Sequence, residues 1–379
     1  MKRILALLLL LTQYAPPAHA ADGRADDGPR IRVAIARNSP SLKLKTSSRV
    51  YAQDVKTGQK YLLLEHSAYE IKASAGGLSV AGQQLSSPIK LLSSDGQERI
   101  RLGGNLYKGD ILIRAAGEDK LDIIEYLPLE DYLYGVLGVE MSPDWPLEAL
   151  KAQAVASRTY ALKNINPARD YDVTDGVEMQ VYNGTAKINS RIIDAVNSTR
   201  GEVLKYKGKL VTAFFHACCG GHTTSVKSAW GEDVIKPLYG NPDPFCSTAS
   251  HYRWELFVPT GDLLRFIQNQ GSTALKIKAV RVYKKDRSGR AVSLRFTTDR
   301  GVKDAPVIEL RKSVGNYEFR STLITRISPV KGGYEFAGRG WGHGVGMCQE
   351  GAKEMAQKGR PYKKILRQYY PGATITDYD

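Results

Sequence analysis

Beyond position 30 the chain alternates apolar and polar side chains at a period of two. IRVAIA, LKLKT, RVYAQ, KYLLLE, YEIKAS, LSVAG, IKLLS, ERIRLG, YKGDILIRA and KLDIIEYL are short runs of this kind, separated by Gly and Ser turns such as SAGG, SSDG and LGGN. They predict a β-rich module over residues 30–124, large enough for its own core. The period then changes. Leu129, Leu133, Val136 and Leu137 recur at helical spacing, and Glu140 takes the next position of that stripe, where another Leu or Val is expected. Pro143 and Pro146 break the run, with Ser142 and Asp144 offering capping oxygens, and LEALKAQAVASRTYALK follows as a second helix. Further on, the pattern predicts a helix over residues 190–200, a hairpin in EVLKYKGKLVTAFFHA turning at Lys207-Gly208, and a helix in GDLLRFIQNQG capped by Thr260. Two last helices, Met347 to Lys358 and Tyr362 to Tyr370, end before Gly359 and Pro371. The expected fold class is α+β, a strand-rich N-terminal module packed on a mixed helix/strand body over residues 125–379.

The N-terminus changes the picture of where this fold works. In residues 1–20, Lys2 and Arg3 precede an apolar run from Ile4 to Leu11 and the segment ends on Ala18-His19-Ala20. This is the three-part pattern of a secretory signal peptide cleaved after Ala20, and the run is short for a membrane span. No Cys follows the cleavage site to take a lipid, and residues 21–29 form a polar, flexible tail. The mature chain is therefore expected in the periplasm or cell envelope, not spanning the membrane. The formal charge of +15 becomes +13 once Lys2 and Arg3 are removed. Such a charge favours polyanionic surfaces. Nucleic acid is not expected among them, since the sequence has no recognition helix, zinc-finger spacing or RNP-type aromatic strand.

Three segments carry candidate chemistry. A carboxylate closing a buried stripe just before a sharp turn should be partly desolvated, which raises its pKa as a general acid near neutral pH requires. Glu140 is that residue. His216-Ala217-Cys218-Cys219-Gly220-Gly221-His222, with Cys246, holds three of the four cysteines. In an oxidising compartment Cys219 (or Cys218) pairs with Cys246, closing a loop of about 27 residues for a few kcal/mol. Alternatively His216, Cys219, His222 and Cys246 form a tetrahedral set for a structural zinc ion, or the thiols stay free. Cys348 can join either arrangement. Near the C-terminus, five Gly in GRGWGHGVG mark a backbone that turns tightly or closely approaches a ligand. There is no GxxxxGK[ST], so a nucleotide site is not expected.

The run GVEMSPDWPLEALKAQAVASRTYAL resembles the signature of the SpoIID/LytB family of bacterial cell-wall proteins, an EMP-like motif followed by a WP-EALKAQA-ARTYA helix. Here Glu-Met-Ser-Pro stands where many members have Glu-Met-Pro. DYDVTDGVEMQVYNG matches a segment lining the family's glycan cleft, through Asp172, Gln180, Tyr182 and Gly184. AWGEDVIKPLYGNPDPFC and HYRWELFV continue the pattern. GRGWGHGVGMCQEGAKEMAQKGRPYKKILRQYYPG is similar to the second signature, which faces the Glu across the cleft, with Cys348 replacing a common Ser. The resemblance covers most of residues 120–379. It implies a lytic transglycosylase that cleaves peptide-stripped MurNAc-GlcNAc strands to 1,6-anhydro products. Glu140 would be its single acid/base, and Arg158, Gln180, Tyr182, His343 and Gln349 its substrate contacts. It also implies no required cofactor, although some members carry a zinc bound by His and Cys. Asp144, Glu148 and Asp172 are nearby carboxylates that could assist. Some relatives are described as enhancers of a cell-wall amidase, so a non-catalytic glycan-binding partner is the alternative.

Overall fold

A computed structural model describes residues 28–378 apart from 47–48, 75, 94–99 and 103. The expected signal peptide and residues 21–27 of the tail lie outside the described residues. The fold is mixed, with many short strands and, among the described residues, eight α-helices. These are α1 (Leu129–Glu140), α2 (Leu147–Asn164), α3 (Ser190–Asn197), α4 (Val226–Trp230), α5 (Thr260–Asn269), α6 (Val307–Val314), α7 (Gln349–Gln357) and α8 (Tyr362–Tyr369).

Period-two patterning decides the N-terminal part. In Leu42–Lys45 the two Leu are buried and the two Lys exposed, so one face of the strand meets the core. Two largely antiparallel sheets result, of seven and six strands. In the larger, Arg30–Ser39 lies between Leu121–Pro128 and the short Val173–Thr174, which pairs with it in parallel from beyond α2. That pairing ties the N-terminal module to the rest of the chain. The expected boundary at residue 124 falls inside Leu121–Pro128, a strand buried along most of its length that runs straight into α1. One apolar core accordingly joins Ile31, Val33 and Ile123 of the sheets to Leu133, Val136 and Leu137 of α1 and Leu150 of α2.

Helix α2 is the hub. Twelve of its residues are buried, so it has no wet face, and its Ala content lets neighbours approach on several sides. It touches α1, α3, α7, α8 and the strand Glu202–Tyr206. Ala152, Val155 and Ala156 belong to a second core with Ala352, Ile365, Leu366 and the four cysteines. A third core, built from Trp254, Leu263, Phe296, Leu310, Phe319 and Phe336, fills two three-stranded sheets with α5 and α6. The body expected as one unit thus carries two cores of its own.

Local details correct some expectations. Neither Ser142 nor Asp144 caps α2; the N-cap is Pro146, and the Ser142 hydroxyl accepts from the Asp144 N–H at 3.3 Å. Thr260 is the first residue of α5 rather than its cap; the N-cap is Pro259, and no side chain bonds the free N–H groups there. The hairpin is short, Glu202–Tyr206 against Lys209–Leu210, and Lys207 and Gly208 both take positive φ as its tight turn requires.

Candidate active site

Glu140 ends α1 because Met141 leaves the helix in extended conformation. Its carboxylate is half-buried and held by two donors. The Val181 N–H donates to Oε1 at 2.9 Å, and the Gln349 amide reaches Oε2 at a long 3.5 Å. Burial raises the pKa of Glu140, with these two donors acting in the opposite direction. Gln349 is itself positioned by the buried Gln153, whose Oε1 lies 3.4 Å away. Gln349 opens α7, immediately after the short strand Met347–Cys348, which pairs in parallel with Phe215–His216.

These elements enclose a cavity of about 320 Å³. Glu140 and Gln349 share its wall with His343, His216, Val181 and a set of aromatic rings: Tyr160, Phe214, Trp230, Tyr317 and Trp341. Trp230 packs at 4.7 Å on Phe214 and at 5.0 Å on His343, yet stays 43% exposed. The Gly-rich loop reaches this wall by close backbone approach. A Cβ at Gly346 would collide with the Phe214 carbonyl, and one at Gly342 would lie 2.8 Å from His216 Cβ; both residues have positive φ.

The two imidazoles at the cavity are neutral. The Val345 N–H donates to His343 Nδ1 at 3.0 Å, and burial pushes the His343 pKa down to about 3. His216 Nδ1 donates to the Val345 carbonyl at 3.1 Å. Its Nε2 is buried without a hydrogen-bond partner, and burial, then the neighbouring His343, hold its pKa well below the ordinary range. A carboxyl whose burial favours its protonated form, beside neutral donors and acceptors and an exposed indole, can deliver a proton to a leaving oxygen and take one back.

Three expected substrate contacts lie elsewhere. Arg158 is fully buried and makes a two-pronged ion pair with Glu130, both bonds 2.7 Å, so no ligand in the cavity reaches it. Gln180 is buried between Tyr132, whose hydroxyl donates to it at 3.1 Å, and the Ser157 carbonyl. Tyr182 is buried with its hydroxyl on Glu125 at 2.7 Å. Gln180 and Tyr182 are thus anchored on either side of Val181, whose N–H donates to Glu140. The carboxylates close in sequence are committed too. Asp172 is buried on Arg32, Glu148 bonds Lys151 and the Tyr362 N–H, and Asp144 is exposed. A carboxylate not anticipated from sequence, Glu178, lines the cavity, where it accepts from the Thr174 hydroxyl at 2.8 Å.

The Cys/His segment also differs from expectation. His216 faces the cavity, and His222 Nδ1 meets the Thr223 carbonyl at 2.5 Å; neither joins the cysteines. Instead Cys219, Cys246, Cys348 and Asp243 converge, all buried, with their ligand atoms within 4.8 Å of one another. Asp243 carried no sequence signal, because a metal ligand contributed singly by a distant loop has no spacing to read. Trp230, Phe214 and Trp341 were likewise missed as a wall, although the bulk of Trp230 and Trp341 beside Gly could have marked those two.

A family described as SpoIID, stage II sporulation protein, matches residues 117–206, and a domain of unknown function matches residues 234–346. An uncharacterised protein of Brachyspira hyodysenteriae is 37% identical over 295 residues, covering 75% of this chain and 76% of its own. The amidase enhancer of Bacillus subtilis is 30% identical over 367 residues, 84% of this chain but 51% of that protein, so the chain spans about half its length. Stage II sporulation protein D of Bacillus subtilis is 28% identical over 274 residues, 68% of this chain and 76% of its own.

Proposed function

The chain belongs to the SpoIID/LytB family, and on that basis we propose that it is an exported peptidoglycan lytic transglycosylase acting on peptide-stripped glycan strands. The observation that carries this reading is Glu140, half-buried with a raised pKa in an aromatic-walled cavity. Glu140 protonates the glycosidic oxygen between N-acetylmuramic acid and N-acetylglucosamine. As that bond breaks, the muramyl C6 hydroxyl attacks the anomeric carbon and returns its proton to Glu140. The product is a 1,6-anhydro sugar, formed without a water molecule, so one carboxyl serves as acid and then base. A hydrolytic glycosidase would instead need two carboxylates, and Glu178, held by the Thr174 hydroxyl on the same cavity wall, would have to be the second. Trp230 offers a ring face to a sugar, and His343 and Gln349 offer hydrogen bonds. Among the described residues no helix is long and apolar enough to cross a membrane.

A second reading is favoured by the similarity to the amidase enhancer across 84% of this chain. The cavity would then hold glycan without cleaving it, and the partner would be a cell-wall amidase. One experiment separates the two. The mature protein is incubated with intact and with peptide-stripped peptidoglycan, and the products are read by mass spectrometry. Anhydro-ended sugars from the stripped polymer support the transglycosylase. Retained binding with no product from either polymer removes it in favour of the enhancer.

A further inference from the structure

We propose that Cys219, Cys246, Cys348 and Asp243 hold a single structural zinc ion directly behind the wall of the Glu140 cavity. Tetrahedral zinc–sulfur bonds of about 2.3 Å require neighbouring sulfurs about 3.8 Å apart, and a polynuclear cluster requires wider spacing. The four ligand atoms lie within 4.8 Å of one another, with Cys219 Sγ 3.4 Å from Cys246 Sγ and 3.1 Å from Asp243 Oδ2. Three thiolates and a carboxylate, buried and closed to solvent, form a structural rather than a catalytic donor set.

Independent features prepare this pocket for negative sulfur. Backbone N–H groups of Cys219 and Gly351 point at Cys348 Sγ at 3.2 and 3.3 Å, and that of Gly221 at Cys219 Sγ at 3.3 Å. Cys348 is the N-cap of α7, on the positive end of the helix. Three thiolates, one carboxylate and a divalent ion leave two negative charges. The buried Arg290 guanidinium stands beside them, donating to the Cys219 carbonyl at 2.6 Å and to the His222 carbonyl at 2.7 Å. A Cys219–Cys246 disulfide would instead leave the buried Asp243 carboxylate and the Cys348 thiol with no cation between them.

The ion would join three segments far apart in sequence: the loop after Phe215–His216, the turn Phe245–Thr248 with the Asp243 just ahead of it, and the start of α7. The residue after Cys348 is Gln349, which touches Glu140. The clamp therefore fixes the donor that faces the candidate acid, and it stands whether or not that acid cleaves glycan.

The test uses the full mature chain purified without chelator. Metal content is read by elemental mass spectrometry, and thiol state by intact mass and alkylation after denaturation. The expected result is about one zinc per chain with every thiol alkylatable. Zinc should be kept in Cys218→Ser and held at least tenfold more weakly in Asp243→Asn, read by competition with a chromogenic chelator. Loss of a sulfur ligand risks misfolding, so cobalt(II) substitution supplies a second readout: a tetrahedral spectrum whose sulfur charge-transfer band persists in Asp243→Asn with shifted d–d bands. A metal-free chain about 2 Da light from a Cys219–Cys246 bond overturns the proposal. So does zinc lost from Cys218→Ser but kept by Asp243→Asn, or a reduced chain that takes up no zinc.

Discussion

Replacing Glu140 with Gln separates proton delivery from everything else that residue does. The Gln carbonyl can keep the Val181 N–H bond now made at 2.9 Å, and its amide then faces Gln349. Gln349 relieves that donor–donor contact by turning its own amide, and Gln153 turns with it so that its N–H faces Gln349 and its carbonyl accepts from the Ser157 hydroxyl; the bonds exchanged are already long at 3.4 and 3.5 Å. The fold should therefore survive, and only the transferable proton is lost. General acid catalysis contributes about 10² to 10⁴ in rate, or about 3–5 kcal/mol of barrier, so cleavage of stripped glycan should fall by at least a hundredfold. Sedimentation with the same polymer should show unchanged binding. Stability adds a second arm. Burial raises the folded-state pKa of Glu140, so ionising it disfavours the folded state progressively as pH rises above the unfolded carboxyl range. Glu140→Gln should thus melt at or above the wild-type temperature at pH 7 and alike near pH 4. Anhydro-sugar release within tenfold of wild type would refute the acid role, and a lower melting temperature at pH 7 would refute the desolvation argument.

If protonated Glu140 is the working form, kcat/KM should fall as pH rises through its raised pKa, and this alkaline limb should sit above the ordinary carboxylate range and vanish in the residual activity of Glu140→Gln. Arg158→Ala leaves Glu130 as an unpaired buried charge and should cost about 3–5 kcal/mol in denaturant unfolding; a selective rise in KM without destabilisation would contradict the buried assignment. Trp230→Ala should weaken glycan binding by about 0.5–1.5 kcal/mol, measured by titration with stripped oligomers, with little change in melting temperature because the ring is 43% exposed. His343, whose folded pKa of about 3 lies below the unfolded value, favours folding fully above pH 6.5 and progressively less below it; at pH 5 the loss is about 2 kcal/mol, and His343→Gln should flatten that part of the melting profile.

The local elements were legible before any fold was known. Alternation in runs such as LKLK and helical spacing from Leu129 to Leu137 depend on neighbours a few residues away, so the strands and α1 could be read directly, as could the anomaly of an acid on an apolar stripe. The family signatures added Glu140, His343 and Gln349, which do share one cavity wall. What the other polar residues do was settled by packing alone. Arg158 finds Glu130, Tyr182 finds Glu125, and Cys348 meets Cys219 across a sequence separation of 129 residues. A buried polar group is stabilised by whichever partner the packing brings to it, and that partner lies far along the chain, where periodicity carries no information.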